Sequence, residues 1–329
     1  MGRPGVVIEI AGDVIVVAEL ISYTARSLDC ARRPNTPDVA LVEFSTMTRV
    51  LRLSAPPAVL AIVLASVVFT LVPAGGAPHG PSGLKTPLSS PSHKTPKPLV
   101  YGGGKELVHS VIYAIYWGPT AGFPGDLENG MNALLGGFSG SSYLNTASQY
   151  FGVSATTSFA GSYVDTSSPP KSAPDTNALV SEVAKVLASY TLSPDPNAVY
   201  LVFTSNLPKI NYCAWHSAGT INATTVQVAY LPNTAGTTGC YPTSNWFSGT
   251  TDWSYGTRSI ADNTAHEFME SITDPVPPTG WIDGTGQEIG DKCNFVYLAP
   301  VILAPNNVWQ VQSMWSDAAG ACVQATPTK

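Results

Sequence analysis

The run NTAHEFMESITDP, residues 263–275, can fold in few ways. It holds helix-forming residues up to Thr273-Asp274-Pro275, where the proline cannot continue a helix and its predecessor is pushed out of helical geometry. The spacing predicts a helix from about Arg258 or Ser259 to Thr273. Ile260, Phe268 and Ile272 supply an apolar side, and His266, Glu267 and Glu270 share a polar arc. Residues four apart on a helix lie above one another, so His266 and Glu270 can reach one metal ion. Glu267 then stands beside that ion as a candidate general base. The pattern is H-E-x-x-E, the zinc-protease H-E-x-x-H with its second histidine exchanged for Glu270.

Clustering strengthens this reading. Charged residues are only 12% of the chain and the net charge is −6, so no basic surface points to nucleic acid. Glu267, Glu270 and Glu288 nevertheless fall within one short window. A zinc site needs a third protein ligand and an open position. GWIDGTGQEIGDKC, residues 280–293, offers Asp283, Glu288 and Asp291, and Asp274 lies nearby. If EIGDKC is extended, Asp291 shares the inward face with Ile289 and Cys293, which favours it as third ligand over Glu288. The expected set is therefore His266, Glu270 and Asp291 around Zn²⁺, with Glu267 taking a proton from a metal-bound water. DGTGQEIGD also reads as a possible Ca²⁺ loop, with hard oxygens between glycines. His216, in CAWHS, reads as a hydrogen-bonded structural histidine or a transition-state contact. Trp246, Trp253, Trp281, Trp309 and Trp315 are read as core before they are read as the floor of a sugar groove.

The rest of the chain points to export. From Met47, a basic start (Arg49, Arg52), an apolar run over 58–72 and small residues match a signal peptide, expected over 47–77. Residues 1–46 precede that start and read as a doubtful extension. Six of the seven arginines lie before residue 53. Residues 78–105 are rich in Pro, Ser and Lys and read as a linker in which His79 and His93 are solvated. Cys213, Cys240, Cys293 and Cys322 form an even set for an oxidising compartment. Pairings 213–240 and 293–322 each close a local loop, whereas the absence of C-x-x-C speaks against a cysteine zinc site.

Residues 106–325 should form the folded domain. VHSVIYAIYWG, VSATTSFAGSYVD, AVYLVFTS and TTVQVAYLP read as strands, with AVYLVFTS central. DLENGMNALLGGF, SSYLNTASQYFG and DTNALVSEVAKVLASY read as helices, the last capped by Asp175. Cys213 and His216 fall in a loop between strands, and the tail WQVQSMWSDAAGACV is a strand followed by a turn. The fold class is α+β, a single mixed domain with a zincin-like sheet and active-site helix and two disulfides.

IYAIYWG, SSYLNTASQYFG, CAWHS, NTAHEFMESITDP, GWIDGTGQEIGDKC and MWSDAAGACV together resemble the EXORDIUM-like, phosphate-induced family of secreted proteins, over nearly all of residues 107–325. The likeness is to bacterial members with a His-Glu helix ending in Thr-Asp-Pro. It implies secretion and a cell-wall setting. The plant members lack the residue corresponding to Glu270 and bring no established enzyme activity. Two functions follow as expectations. One is a secreted metallopeptidase acting on an extracellular protein, peptide or cell-wall substrate, with no membrane span once the leader is cleaved. The other is a non-catalytic extracellular binding protein of the family.

Overall fold

The segment AVYLVFT is buried at every position and forms the middle of a five-stranded sheet. Its even- and odd-numbered side chains enter different cores. Val199, Leu201 and Phe203 face one apolar cluster, and Ala198, Tyr200 and Val202 face another. A strand with both faces covered needs no polar alternation, which is why this run is uniformly apolar.

The computed structural model describes residues 97–243, 247, 249–250, 252–304 and 307–324. It also describes two short antiparallel strands, Val7–Ile8 and Val16–Val17, in a separate unit spanning Met1–Val63. The signal-peptide segment and most of the linker lie outside the described residues, as do His79, His93 and Trp246. The sheet contains β1 (His109–Trp117), β2 (Thr156–Asp165), β3 (Ala198–Thr204), β4 (Trp215–Ile221) and β5 (Thr224–Pro232). Its order is β2-β1-β3-β5-β4, parallel throughout except for the antiparallel edge pair β4–β5. Helices α1 (Leu127–Gly137), α2 (Asn145–Phe151) and α4 (Tyr255–Thr273) belong to one side and α3 (Thr176–Ser189) to the other. The result is a mixed α/β domain with two disulfides, Cys213–Cys240 and Cys293–Cys322, paired as the loop closures predict. Among the described residues, no helix is long and apolar enough to cross a membrane.

Several sequence expectations need correction. The segment around His216 is not a loop but β4, the antiparallel edge strand. It joins β5 through Asn222-Ala223, both at positive φ (48° and 65°). That is the geometry of a two-residue hairpin turn, normally announced by Asn-Gly; alanine in the second place hides it. Residues 99–104 are not linker. Leu99 is buried and its N–H donates to Asp317, while Val100–Tyr101 pairs with Trp281–Ile282. Trp309 and Trp315 are core residues, and Trp253 and Trp281 pack against the same core.

Helix α4 begins at an N-cap, Ser254, whose hydroxyl accepts from the Thr257 N–H at 3.2 Å. Asp126 holds that cap, accepting from the Ser254 N–H and Oγ at 2.6 Å each. From Thr257 to Thr273 every residue of α4 is buried. The arc carrying His266, Glu267 and Glu270 therefore faces the protein interior and not solvent, and the helix is polar and buried together.

Helix α3 carries a buried carboxyl of its own. Glu182 is 4% exposed, and burial with Asp165 alongside pushes it up to about 8. The folded chain thus keeps a proton that the unfolded chain has released above its ordinary value of 4.5. This contribution to stability is present at acid pH and is lost as pH rises through that window. Glu182→Gln should remove the dependence. Thermal melts from pH 5 to 9 should show a smaller loss of Tm in the variant than in the wild type, by several degrees.

Candidate metal centre

Two elements bring the site together. On α4 the four-residue spacing puts His266 Nε2 3.0 Å from Glu270 Oε1. Against this face lies the segment 288–293. It is not extended: it turns and enters a single 3₁₀ turn, Asp291–Cys293. The Ile289 carbonyl accepts from Trp315 N–H at 2.8 Å, and Cys293 is bonded to Cys322, so the turn is held at both ends. The Asp291 N–H donates to Glu270 Oε1 at 3.0 Å, and Asp291 Oδ1 stands 3.8 Å from His266 Nε2. His266, Glu270 and Asp291 thus offer donor atoms within 4.8 Å of one another, a cluster able to hold a metal ion.

The strand-parity reason for preferring Asp291 over Glu288 fails with the extended conformation. The 3₁₀ turn begins only at Asp291, which joins the donor group, while Glu288, ahead of it, is buried against His216. Glu288 is fully buried, and both its oxygens lie 3.2 Å from His216 Nε2. His216 in turn stands 3.7 Å from Glu270 Oε2. The second group of donors is His216, Glu267 and Glu270, again within 4.8 Å. His216 belongs to the centre, which the sequence reading did not assign to it; only its place on an edge strand, concealed by the Asn-Ala turn, could have shown this.

The remaining acidic candidates are committed elsewhere. Asp283 Oδ1 accepts from Thr285 N–H, Thr285 Oγ1 and Gln287 N–H, at 2.7, 2.6 and 3.2 Å, and its other oxygen takes Lys292 Nζ at 3.2 Å. The leading carboxylate of the calcium-loop reading is therefore engaged by its own turn and a lysine. Asp274 Oδ1 accepts from Thr279 and Gly280 N–H groups at 3.1 and 2.7 Å, while its Oδ2 is buried without a hydrogen-bond partner.

Glu267 differs from all of these. It is 0% exposed and neither carboxylate oxygen has a hydrogen-bond partner. Burial raises its affinity for a proton well above the ordinary carboxyl value, and burial does the same for Glu288. Asp291 is pushed up to about 7 by burial and then by Glu270. Burial also opposes charge on Glu270 and His266, but their mutual attraction prevails: Glu270 is lowered and His266 raised. A buried cluster of carboxylates is costly unless positive charge is shared among them. Lys292 does not supply it, since it faces Asp283, the Lys97 carbonyl and the ring of Trp315. The donor set of imidazole nitrogens and carboxylate oxygens fits a divalent ion of the zinc or manganese kind.

Three supporting residues carry no sequence signal. Gln312 places its amide on His266 Nδ1 and 3.2 Å from the Gly290 carbonyl. The amide nitrogen thus serves two acceptors, Nδ1 and the Gly290 carbonyl, and braces the ring on the side away from Nε2. Asp262 fixes Gln312 by accepting its backbone N–H at 2.7 Å, and holds the Tyr297 hydroxyl at 2.5 Å. Gly290 lies so close that a Cβ there would meet His266 Nδ1 at 2.8 Å and Glu270 Oε1 at 2.9 Å. No protein-family model matches the chain, and neither the curated proteins nor the solved structures yielded a match.

Proposed function

We propose that this chain is a metal-dependent hydrolase, most simply a secreted zinc peptidase. The observation that carries the reading is Glu267, a buried carboxylate with two unpartnered oxygens beside converging donors from His266, Glu270 and Asp291. A divalent ion held by those three residues would act as a Lewis acid towards a carbonyl and a water. Glu267 would accept the proton as that water attacks and pass it to the leaving amine. His266 and Glu270 are fixed relative to each other by one turn of helix, and the Asp291 N–H orients Glu270. Two carboxylates and one neutral imidazole leave a divalent ion formally neutral, so its bound water would be less acidic than at a His-rich site and metals harder than zinc also fit. The engagement of Asp283 by its own turn favours zinc over calcium. Two disulfides are consistent with an extracellular setting, and the resemblance to the EXORDIUM-like family supports secretion.

Burial of the centre favours a second reading. Asp291, at 17% side-chain exposure, is the most open of the three expected ligands, against 2% or less for His266 and Glu270. A centre so enclosed also suits an ion that braces a non-catalytic extracellular module binding wall polysaccharide or a protein.

Removal of the ion separates the two. Exhaustive chelation should strip the purified domain of metal, lower its Tm by several degrees and abolish peptide hydrolysis, all restored by zinc. Restored stability with no hydrolysis across a peptide library, and chelator-insensitive retention on insoluble glycans, would favour the binding module. Absence of any metal uptake sinks both.

A further inference from the structure

Glu270 faces two ways. Its Oε1 lies 3.0 Å from His266 Nε2, and its Oε2 lies 3.7 Å from the imidazole of a different element, His216. Oε2 is buried and has no hydrogen-bond partner. The two donor groups of this centre share Glu270 and nothing else: one adds His266 and Asp291, the other His216 and Glu267.

We propose that the centre holds two divalent cations bridged by the Glu270 carboxylate, the second bound by His216. This rests on the metal-dependent reading above and extends it from one ion to two. Two donors each about 2.1 Å from one ion, at a tetrahedral angle, lie roughly 3.4 Å apart. The separations across both halves bracket that value. On the first side they are 3.0 and 3.8 Å from His266 Nε2 to Glu270 and Asp291. On the second they are 3.7 Å from His216 Nε2 to Glu270 and 3.2 Å to each oxygen of Glu288. The pairs at 3.7 and 3.8 Å are too long for hydrogen bonds and the right length for atoms that share an ion. A carboxylate bound through both oxygens suits two ions about 3.5–4 Å apart, the spacing of two-metal hydrolytic sites.

Charge balance points the same way. Glu267, Glu270, Asp274, Glu288 and Asp291 crowd two imidazoles in an interior where four of the five carboxylates are at most 1% exposed. A second divalent ion would offset more of this carboxylate charge than one ion alone. Glu288, both of whose oxygens lie 3.2 Å from His216 Nε2, offers the second position a donor besides Glu267. Two ions would hold the attacking and the departing atoms of a hydrolysis on opposite sides of Glu270.

The test is metal stoichiometry at saturation, measured by elemental analysis after equilibrium dialysis against zinc or manganese(II). Wild type should bind two ions per chain, and His216→Gln one, with circular dichroism confirming that the variant is folded. The manganese-loaded wild type should show the attenuated paramagnetic resonance of a coupled pair, and His216→Gln the six-line signal of an isolated ion. One ion per wild-type chain with a six-line signal, unchanged in His216→Gln, overturns the second site and leaves the single-ion reading standing. No bound ion at all overturns both.

Discussion

Glu267→Gln is expected to lower peptide hydrolysis by about 10²–10⁴-fold while leaving metal content at the wild-type level. The amide keeps the shape of the side chain and cannot accept the proton. Glu267 makes no hydrogen bond, so nothing in the packing is lost with the charge. The metal-free variant should in fact be more stable than the metal-free wild type. Burial keeps Glu267 protonated in the metal-free fold while the unfolded chain ionises it at neutral pH, a cost the neutral amide does not carry. A general base and a structural acid are thus told apart by three readings on one variant: turnover, metal content and the Tm of the stripped protein. Turnover within a factor of two of wild type, with metal bound, would remove Glu267 from the chemistry. Loss of metal together with activity would make it a ligand instead.

The sheet and helices were legible because their signals are local. AVYLVFT has no polar face and reads as a central strand, and Asp175 caps α3 as its position predicts, accepting from the Ala178 N–H at 2.8 Å. The edge strand β4 was not legible, since the turn that creates it puts Ala223 at a φ of 65°, where glycine is expected. That single departure hid His216 from the site. The choice of Asp291 reached a residue that does meet His266 and Glu270, by a route the structure rejects. An extended strand would have turned Glu288 away, whereas here it is buried against His216 and Asp291 meets His266. The polar arc of α4 was visible, but not that it would be buried. Amphipathic patterning assigns charged residues to water, and only the covering turn and C-terminal strands overrule it. Gln312, Asp262 and Gly290 act across long stretches of chain, through contacts that no periodicity encodes.

Gly290→Ala should weaken metal binding sharply without unfolding the protein, because the added methyl would occupy the space between two ligands. A Cβ at 290 would fall 2.8 Å from His266 Nδ1, 2.9 Å from its Cε1 and 2.9 Å from Glu270 Oε1, distances no relaxed carbon contact allows. Neither ligand can retreat easily, since both stand on the fully buried helix α4 and His266 is braced by Gln312. The turn cannot swing away either. Ile289 is tied to Trp315, and Cys293 to Cys322. The strain is therefore relieved by displacing the His266 ring, the least costly movement and the one that breaks the site. The φ of Gly290 is −79°, so alanine meets no backbone penalty there. Overpacking of this size costs about 1–3 kcal/mol, which leaves the fold intact with a lowered Tm. Zinc affinity should fall by about 10–100-fold, the range for losing a ligand's orientation, as read by competition with a chromogenic chelator. Gly286→Ala is the control: that glycine lies in the same segment at a φ of 83° with no atom within 4 Å of a Cβ. It should cost stability through backbone strain yet leave metal affinity unchanged. Equal loss of affinity in both variants would mean that the segment merely tolerates no substitution, and the close packing of Gly290 on the ligands would lose its meaning.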